Sequence, residues 1–171
     1  MAALTDLRIE VEIAFVLGAP LQGTSQTLAD VLAATAYVVP AVELIAARTF
    51  RIDPETRKAR GVVDTIADNA ASAGIVMGGR PMHPSAVDLR WIGAMLWKNG
   101  EIEESGVSGA VMNHPGNAVA RLANTFGALG ERLEAGEIIL SGSFTRPVTV
   151  AAGDLFHVDF GTMGSFALRF V

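Results

Sequence analysis

Hydrophobic and polar residues alternate near the start of the chain, over residues 8–17. The alternating run reads Ile9, Glu10, Val11, Glu12, Ile13 and Ala14. A period of two residues is typical of a β-strand, in which side chains at i and i+2 point to the same face. The pattern therefore predicts a strand that places the Glu10 and Glu12 side chains on one face, with Cβ atoms roughly 7 Å apart.

Two helices are predicted from their capping residues and apolar stripes. The first covers residues 27–36, where Thr27 is suited to the N-cap position and Asp30, three residues on, completes a weak capping box. The second covers residues 114–130, with Pro115 in its first turn, where the missing N–H of proline costs no hydrogen bond. Both helices are expected to pack outside a sheet.

Further strands are predicted between turn residues. Asn99-Gly100 is a strong hairpin signal because both positions tolerate positive φ, and it separates strand-like runs at residues 87–96 and 101–106. The other strand-like segments are residues 37–46, 73–77, 137–140, 155–160 and 165–171. Pro40 cannot donate a hydrogen bond, so it predicts a sheet edge or a bulge within its segment.

Composition narrows the class of protein. With 171 residues, 50% of them hydrophobic and 18% charged, the sequence is typical of one core-forming domain over residues 1–171. Charged residues or glycine interrupt every apolar run before the ~20 residues that a membrane helix needs, so no membrane association is expected. A net charge of −5 argues against nucleic-acid binding. The absence of cysteine and of a signal-like start favours a cytoplasmic protein.

A third acid joins the pair on the first strand. Glu43 is the single carboxylate in an otherwise apolar run, where an unpaired charge would be costly to bury. Three clustered carboxylates would repel unless a cation lies between them, and hard divalent cations prefer oxygen ligands. On its own, the pair Glu10 and Glu12 is more often an ordinary solvated face of a half-exposed sheet than a metal site, and Glu43 makes the two interpretations about even. The sequence leaves both interpretations open.

Several motifs together resemble the fumarylacetoacetate hydrolase superfamily, in its hydratase and decarboxylase branch. The chain carries Glu10-x-Glu12 followed by Ala14-Phe15-Val16-Leu17-Gly18, then Pro40-Ala41-x-Glu43, then Asp64-Thr65-x-Ala67-Asp68-Asn69-Ala70. Further matching segments are residues 52–56, 78–81, 88–92, 113–115 and 142–147. The resemblance covers roughly the C-terminal two-thirds of a family member.

The resemblance implies an α+β fold, with a β-rich mixed rolled sheet of the family's C-terminal domain type and a few outer helices. It also implies that Glu10, Glu12 and Glu43 bind Mg²⁺ or Mn²⁺, and that the chain forms homo-oligomers. The implied activity is metal-dependent hydration of a small-molecule 2-oxo-4-enoate, with 2-oxohept-4-ene-1,7-dioate as the expected substrate in aromatic compound catabolism. A 2-oxo-3-enedioate decarboxylase and a non-catalytic metal-binding or assembly subunit are the alternatives.

The resemblance also assigns residues around the metal. The family loop equivalent to residues 141–145 borders the substrate, so Ser141 and Ser143 are expected to bind it, and Asn69 belongs to another recurrent segment. Relatives often carry Asp where this chain has Ala46, which predicts weaker metal affinity. The family's acid–base lysine belongs to an N-terminal segment without a counterpart in this sequence, so the catalytic residue is unassigned and slow turnover is expected.

Overall fold

The fold is organised around β1, the strand Thr5–Leu17, in a computed structural model that describes residues 5–171. The other strands are β2 Leu21–Gln22, β3 Thr35–Ala47, β4 Ser72–Met77, β5 Gly93–Lys98, β6 Glu101–Val107, β7 Arg132–Leu133, β8 Ile138–Leu140, β9 Val148–Thr149, β10 Leu155–Asp159 and β11 Ser165–Arg169. The helices are α1 Leu28–Ala34, α2 Val62–Ala67 and α3 Pro115–Ala128. The predicted α+β class, rich in strands with few helices, is confirmed.

The main sheet is antiparallel and has β1 in its interior. Its order is β4-β3-β1-β8, and β9 also pairs with β1 beyond the end of β8. The alternation in the sequence explains which face of β1 is buried, because Ile9, Val11 and Ile13 are fully buried in the core. Glu10 and Glu12 consequently point to the opposite face of the sheet.

A second antiparallel sheet covers the apolar face of the first. Its order is β11-β10-β5-β6. Leu96 of β5 and the β10 residues Phe156 and Val158 belong to the same hydrophobic cluster as Ile13 and Phe15 of β1. The two sheets therefore share one core, while the acid-bearing face of the main sheet points away from it.

The two predicted helices form, each with a side-chain cap at its start. Thr27 Oγ1 accepts a hydrogen bond from Asp30 N and the Asp30 carboxylate accepts one from Thr27 N, which is the reciprocal capping box before α1. His114 Nδ1 accepts from Gly116 N at the start of α3, and Pro115 is in its first turn. Within residues 5–171, no helix is long and apolar enough to cross a membrane.

Pro40 does not mark an edge or a bulge, contrary to the prediction. It lies opposite Ile13 in an uninterrupted register between β3 and β1, and β3 is an interior strand. The proline is tolerated because its nitrogen faces β4 where that strand ends. Gly78 N donates to Pro40 O at 3.1 Å there, and the β3–β4 ladder begins only at Ala41. No hydrogen bond to β1 is lost.

The strand predicted over residues 87–96 begins only at Gly93. A short 3₁₀ turn, Leu89–Trp91, occupies the preceding residues, and the Asp88 carboxylate accepts a hydrogen bond from Arg90 N at its start. Local side-chain bonding of this kind competes with strand pairing, which explains the late start. The hairpin itself is confirmed, since β5 and β6 pair antiparallel around Asn99-Gly100.

Candidate metal centre

The three predicted acids meet on one face of the main sheet. Glu10 lies directly opposite Glu43 in the β1–β3 register, and Glu12 follows two residues along β1. Each residue offers one carboxylate oxygen, and these oxygens all lie within 4.8 Å of one another. We call these three residues the acid triad. Its assembly follows from two facts, the period of two along β1 and the pairing that aligns β3 with it.

Burial and mutual repulsion oppose ionisation of the triad. Glu12 is 3% exposed. Burial, reinforced by the negative charges of Glu43 and Glu10, raises the Glu12 pKa from 4.5 to about 8, although a hydrogen bond from Gly142 N partly offsets the rise. Burial, followed by the charge of Glu43, also raises the pKa of Glu10. Among the ion pairs within residues 5–171, none neutralises the triad.

Small and apolar side chains surround the triad. Ala14, Val39 and Ala41 are buried and pack with Leu140 on the same face. A cleft of about 260 Å³ opens next to them, lined by Tyr37, Val39, Met77, Gly78, Gly79 and Pro81. Since side chains alternate along β3, this cleft continues the face that carries the triad. The arrangement combines a cluster of oxygen ligands with an adjacent apolar recess.

Ser141 and Ser143 lie beside the triad, but their hydroxyls bond to the backbone of β1. Ser141 Oγ accepts from Ile13 N at 3.4 Å and donates to Gly142 O at 3.2 Å. Ser143 Oγ lies within hydrogen-bonding distance of Val11 O, at 3.3 Å, and donates to Thr145 O at 2.8 Å. The structure thus brings both serines next to the strand that carries Glu10 and Glu12, and their contact with substrate stays a prediction.

Asn69 is not brought to the triad. It is exposed and has a left-handed backbone, with φ of 50°. Its neighbour Asp68 is buried and accepts hydrogen bonds from Arg48 N and from the Arg60 guanidinium, and these bonds hold the Asp68 pKa below its usual range. Arg48 follows the end of β3, roughly 16 Å along the strand from Glu43. The predicted role of Asn69 in substrate binding therefore stays without a contact to support it.

Ala46 lies in the hydrophobic core, 3% exposed. Glu43 points to the opposite face of β3, so a side chain at position 46 does not reach the triad across the sheet. The weaker metal affinity expected from this residue stays a prediction without a geometric basis.

Gly142 is the site residue that sequence reasoning missed. Its N–H donates to Glu12 Oε2 at 2.6 Å, and its φ of +100° is a conformation that favours glycine. A glycine between two serines after a strand was the available signal. It indicates a turn, but it does not reveal which side chain the freed N–H binds.

Comparisons with known proteins agree on the family. Residues 2–171 match the family model described as Fumarylacetoacetate (FAA) hydrolase C-terminal. The 2-oxo-hept-4-ene-1,7-dioate hydratase of Escherichia coli is 60% identical over 164 residues, which cover 96% of this chain and 61% of that protein. The 4-oxalocrotonate decarboxylase of Pseudomonas putida is 42% identical over 166 residues, which cover 96% of this chain and 60% of that protein.

Solved structures agree with these sequence matches. The 4-oxalocrotonate decarboxylase from Pseudomonas putida G7, complexed with calcium and acetate, superimposes with a TM-score of 0.89 at 40% identity, covering 99% of this chain and 62% of that one. The same enzyme has also been solved with magnesium and adipate. The chain spans about three-fifths of the length of the curated relatives it matches. From its motifs, its fold and these similarities, the chain belongs to the fumarylacetoacetate hydrolase family.

Proposed function

We propose that this chain carries the metal centre of a hydratase that adds water to a 2-oxo-4-enoate, with 2-oxohept-4-ene-1,7-dioate as substrate. The observation that carries the proposal is the acid triad, three carboxylates converging within 4.8 Å on a partly buried face. The 60% identity to the Escherichia coli hydratase supports the choice of substrate.

The ligand atoms of the triad fit a hard divalent ion. All three are carboxylate oxygens, the donor type that Mg²⁺ and Mn²⁺ prefer. An isolated cluster of this charge is unfavourable when partly buried, and a divalent cation would relieve both the burial cost and the repulsion. Glu10, Glu12 and Glu43 would therefore hold Mg²⁺ or Mn²⁺. When bound, such an ion supplies Lewis-acid polarisation of the substrate's carboxylate and 2-oxo oxygens.

The remaining residues of the face orient the substrate in this proposal. One Glu12 oxygen accepts the Gly142 N–H, which leaves the other oxygen to act as a ligand. Ala14 and Ala41, which are buried beside the triad, have short side chains and therefore leave space above the sheet there. The adjoining cleft of about 260 Å³ would take the carbon chain of the substrate.

Neither lysine of this sequence is suited to the acid–base role. Lys98 Nζ donates to Thr149 O at 2.8 Å and pairs with Asp154 at 3.2 Å, in the second sheet. Lys58 lines a different cavity, in the loop that follows β3. We therefore assign to this chain substrate chelation and orientation, and leave proton transfer unassigned among its residues.

Decarboxylation of a 2-oxo-3-enedioate is the second candidate. The observation that favours it is the close superposition, with a TM-score of 0.89, on a 4-oxalocrotonate decarboxylase. Decarboxylation needs the same chelation of a 2-oxo acid but consumes no water, so the metal centre alone does not separate the two reactions.

The metal assignment is tested by titrating the protein with Mn²⁺ in a calorimeter. The double variant Glu10→Gln, Glu12→Gln removes two ligand charges while keeping side-chain size, and we expect it to abolish binding. A matched control is Glu101→Gln, Glu103→Gln, which changes an equally spaced pair of exposed acids on β6. Unchanged Mn²⁺ affinity in the first variant would contradict the site assignment.

Product analysis tests the reaction. Mass spectrometry after incubation with Mg²⁺ and 2-oxohept-4-ene-1,7-dioate should find a product one water heavier than the substrate. Release of CO₂ from a 2-oxo-3-enedioate, with no hydrated product from the heptenedioate, would favour the decarboxylase. Metal and oxalate binding without either product would favour the non-catalytic alternative.

We also propose that the chain forms homo-oligomers in the cytoplasm and binds neither nucleic acid nor membranes. Partly exposed apolar side chains such as Ile75, Met77 and Ile138 support the first point, since they leave apolar surface that a second copy could cover. The net charge of −5 supports the absence of nucleic-acid binding. Light scattering during size-exclusion chromatography measures the oligomeric state.

A further inference from the structure

One side of β1 has no regular strand partner where it carries the triad. β8 pairs with β1 at residues 14–16, and β9 pairs with it at residues 8–9. Between these two pairings, the backbone groups of Val11 and Ile13 face the irregular segment Ser141–Thr145. A buried backbone group without a partner is costly, so this segment must replace the missing ladder.

The segment provides a partner for all four backbone groups, and two of these partners are hydroxyl oxygens while the other two are backbone N–H groups. Ile13 N donates to Ser141 Oγ at 3.4 Å and Ile13 O accepts from Ser141 N at 3.1 Å. Val11 N donates to Thr145 Oγ1 at 3.2 Å, and Val11 O accepts from Phe144 N at 3.4 Å. Residues 11 and 13 flank Glu12, so the segment fixes the strand on both sides of that ligand.

The same segment also binds the Glu12 side chain. Because hydroxyl oxygens replace backbone carbonyls as acceptors in the ladder, the chain can turn outward at Gly142 and direct its N–H to Glu12 Oε2 at 2.6 Å. Ser143 Oγ accepts from Thr145 N at 3.2 Å and donates to Thr145 O at 2.8 Å, which closes the turn. One carboxylate oxygen of Glu12 is thereby held by the protein, and its rotation is restricted.

We propose that Ser141–Thr145 is the positioning element of the metal centre, in which the Thr145 hydroxyl fixes β1 between Glu10 and Glu12 and Gly142 orients the Glu12 carboxylate. The inference rests on the proposed function, because it assumes that the triad binds a divalent ion. It assigns the hydroxyls of this loop to the ligand strand instead of to the substrate. Groups that orient metal ligands commonly change metal affinity about 10–100-fold when removed.

The test compares Thr145→Val with Thr145→Ser. Valine keeps the branched shape but cannot accept the Val11 N–H, whereas serine keeps the hydroxyl. We expect Thr145→Val to weaken Mn²⁺ binding about tenfold or more, and Thr145→Ser to stay within about threefold of the unchanged protein. Thr125→Val is the matched control, since Thr125 is exposed on α3, which lies outside the main sheet.

Two further measurements separate positioning from a merely structural role. Urea unfolding in EDTA reports stability alone, and the electron paramagnetic resonance spectrum of bound Mn²⁺ reports ligand geometry. Positioning predicts a changed Mn²⁺ spectrum in folded Thr145→Val, restored in Thr145→Ser. If Thr145→Val does not fold, Ser143→Ala replaces it. We expect a loss of about threefold or more in Mn²⁺ affinity, because the two hydrogen bonds between the Ser143 hydroxyl and the Thr145 backbone are removed.

The outcomes distinguish a failure of the positioning role from a failure of the proposed metal site. Mn²⁺ affinity and spectrum unchanged in folded Thr145→Val would overturn the positioning role, even where Glu10→Gln, Glu12→Gln abolishes binding. Weaker oxalate binding with unchanged Mn²⁺ affinity would also overturn it, because the hydroxyl would then serve the substrate. No Mn²⁺ binding by the unchanged protein would overturn both proposals.

Discussion

Replacing Glu12 with glutamine should stabilise the metal-free protein at high pH. The folded-state pKa of Glu12 is raised from 4.5 to about 8. The native state therefore holds this proton more tightly than the unfolded state does, and stability is lost as the pH rises from 4.5 towards about 8. Above the folded pKa the loss is complete and constant. Glutamine carries no proton to lose, and its amide oxygen can still accept the Gly142 N–H.

The size of the effect follows from the same pKa. One pKa unit corresponds to about 1.36 kcal/mol, so the rise from 4.5 to about 8 corresponds to about 5 kcal/mol when Glu12 is fully ionised. At about pH 9 we expect the free energy of unfolding of Glu12→Gln to be higher than that of the unsubstituted protein by about this amount. At about pH 5 the part of this difference that comes from Glu12 ionisation falls below about 1 kcal/mol, because Glu12 remains protonated in the native state.

Urea unfolding in EDTA at the two pH values measures the difference. Glu103→Gln is the control, because it removes the same charge from an exposed position on β6, outside the triad. A stability difference between Glu12→Gln and the unchanged protein that does not grow with pH would refute the reasoning. Calorimetry should show that Glu12→Gln also weakens Mn²⁺ binding. The Glu12 carboxylate would then lower the stability of the metal-free protein and strengthen its binding of Mn²⁺.

Two other predictions follow from the site and its surroundings. Mn²⁺ affinity should rise about tenfold per pH unit between about pH 6 and 8 and then level off, because binding displaces the Glu12 proton. Calorimetric titration measures the affinity across this range, and an affinity that does not change with pH would exclude Glu12 as a ligand. Gly79→Ala should lower the free energy of unfolding by about 1–3 kcal/mol more than Gly100→Ala, measured by urea unfolding. Both glycines have positive φ, but a Cβ at position 79 would lie 2.6 Å from Met163 O, whereas one at position 100 meets nothing within 4 Å; equal losses would exclude a steric role for Gly79.

Most of the fold prediction came from patterns formed by residues close together in the sequence. The alternation along β1 predicted both the strand and the common face of Glu10 and Glu12. The capping box at Thr27 and the Asn99-Gly100 turn depend only on neighbouring residues, so they could be predicted without tertiary information. Pro40 was misjudged because the outcome depended on where β4 ends, which is set by a segment far along the chain.

The candidate site was predictable as a set of residues but not as a set of contacts. Glu43 was identified by its apolar surroundings, yet its position opposite Glu10 follows from strand register. The bond between Gly142 and Glu12 joins residues separated by 130 positions, and no local pattern encodes such a contact. The hydroxyls of Ser141 and Ser143 were assigned to the substrate from the family resemblance, which stays a prediction. The sequence does not reveal the gap between β8 and β9 beside which these hydroxyls lie.

The electrostatics of the triad argue for a binding role over a structural one. A buried carboxylate that stabilises a fold normally has basic or hydrogen-bonding partners that lower its pKa, as Asp68 does with Arg48 and Arg60. Glu12 has one such donor, and its pKa is raised despite it. The fold holds Glu12 in place against repulsion, through β3 on one side and Ser141–Thr145 on the other. Such an arrangement lowers stability unless a cation is bound, which is the behaviour expected of a preorganised metal site.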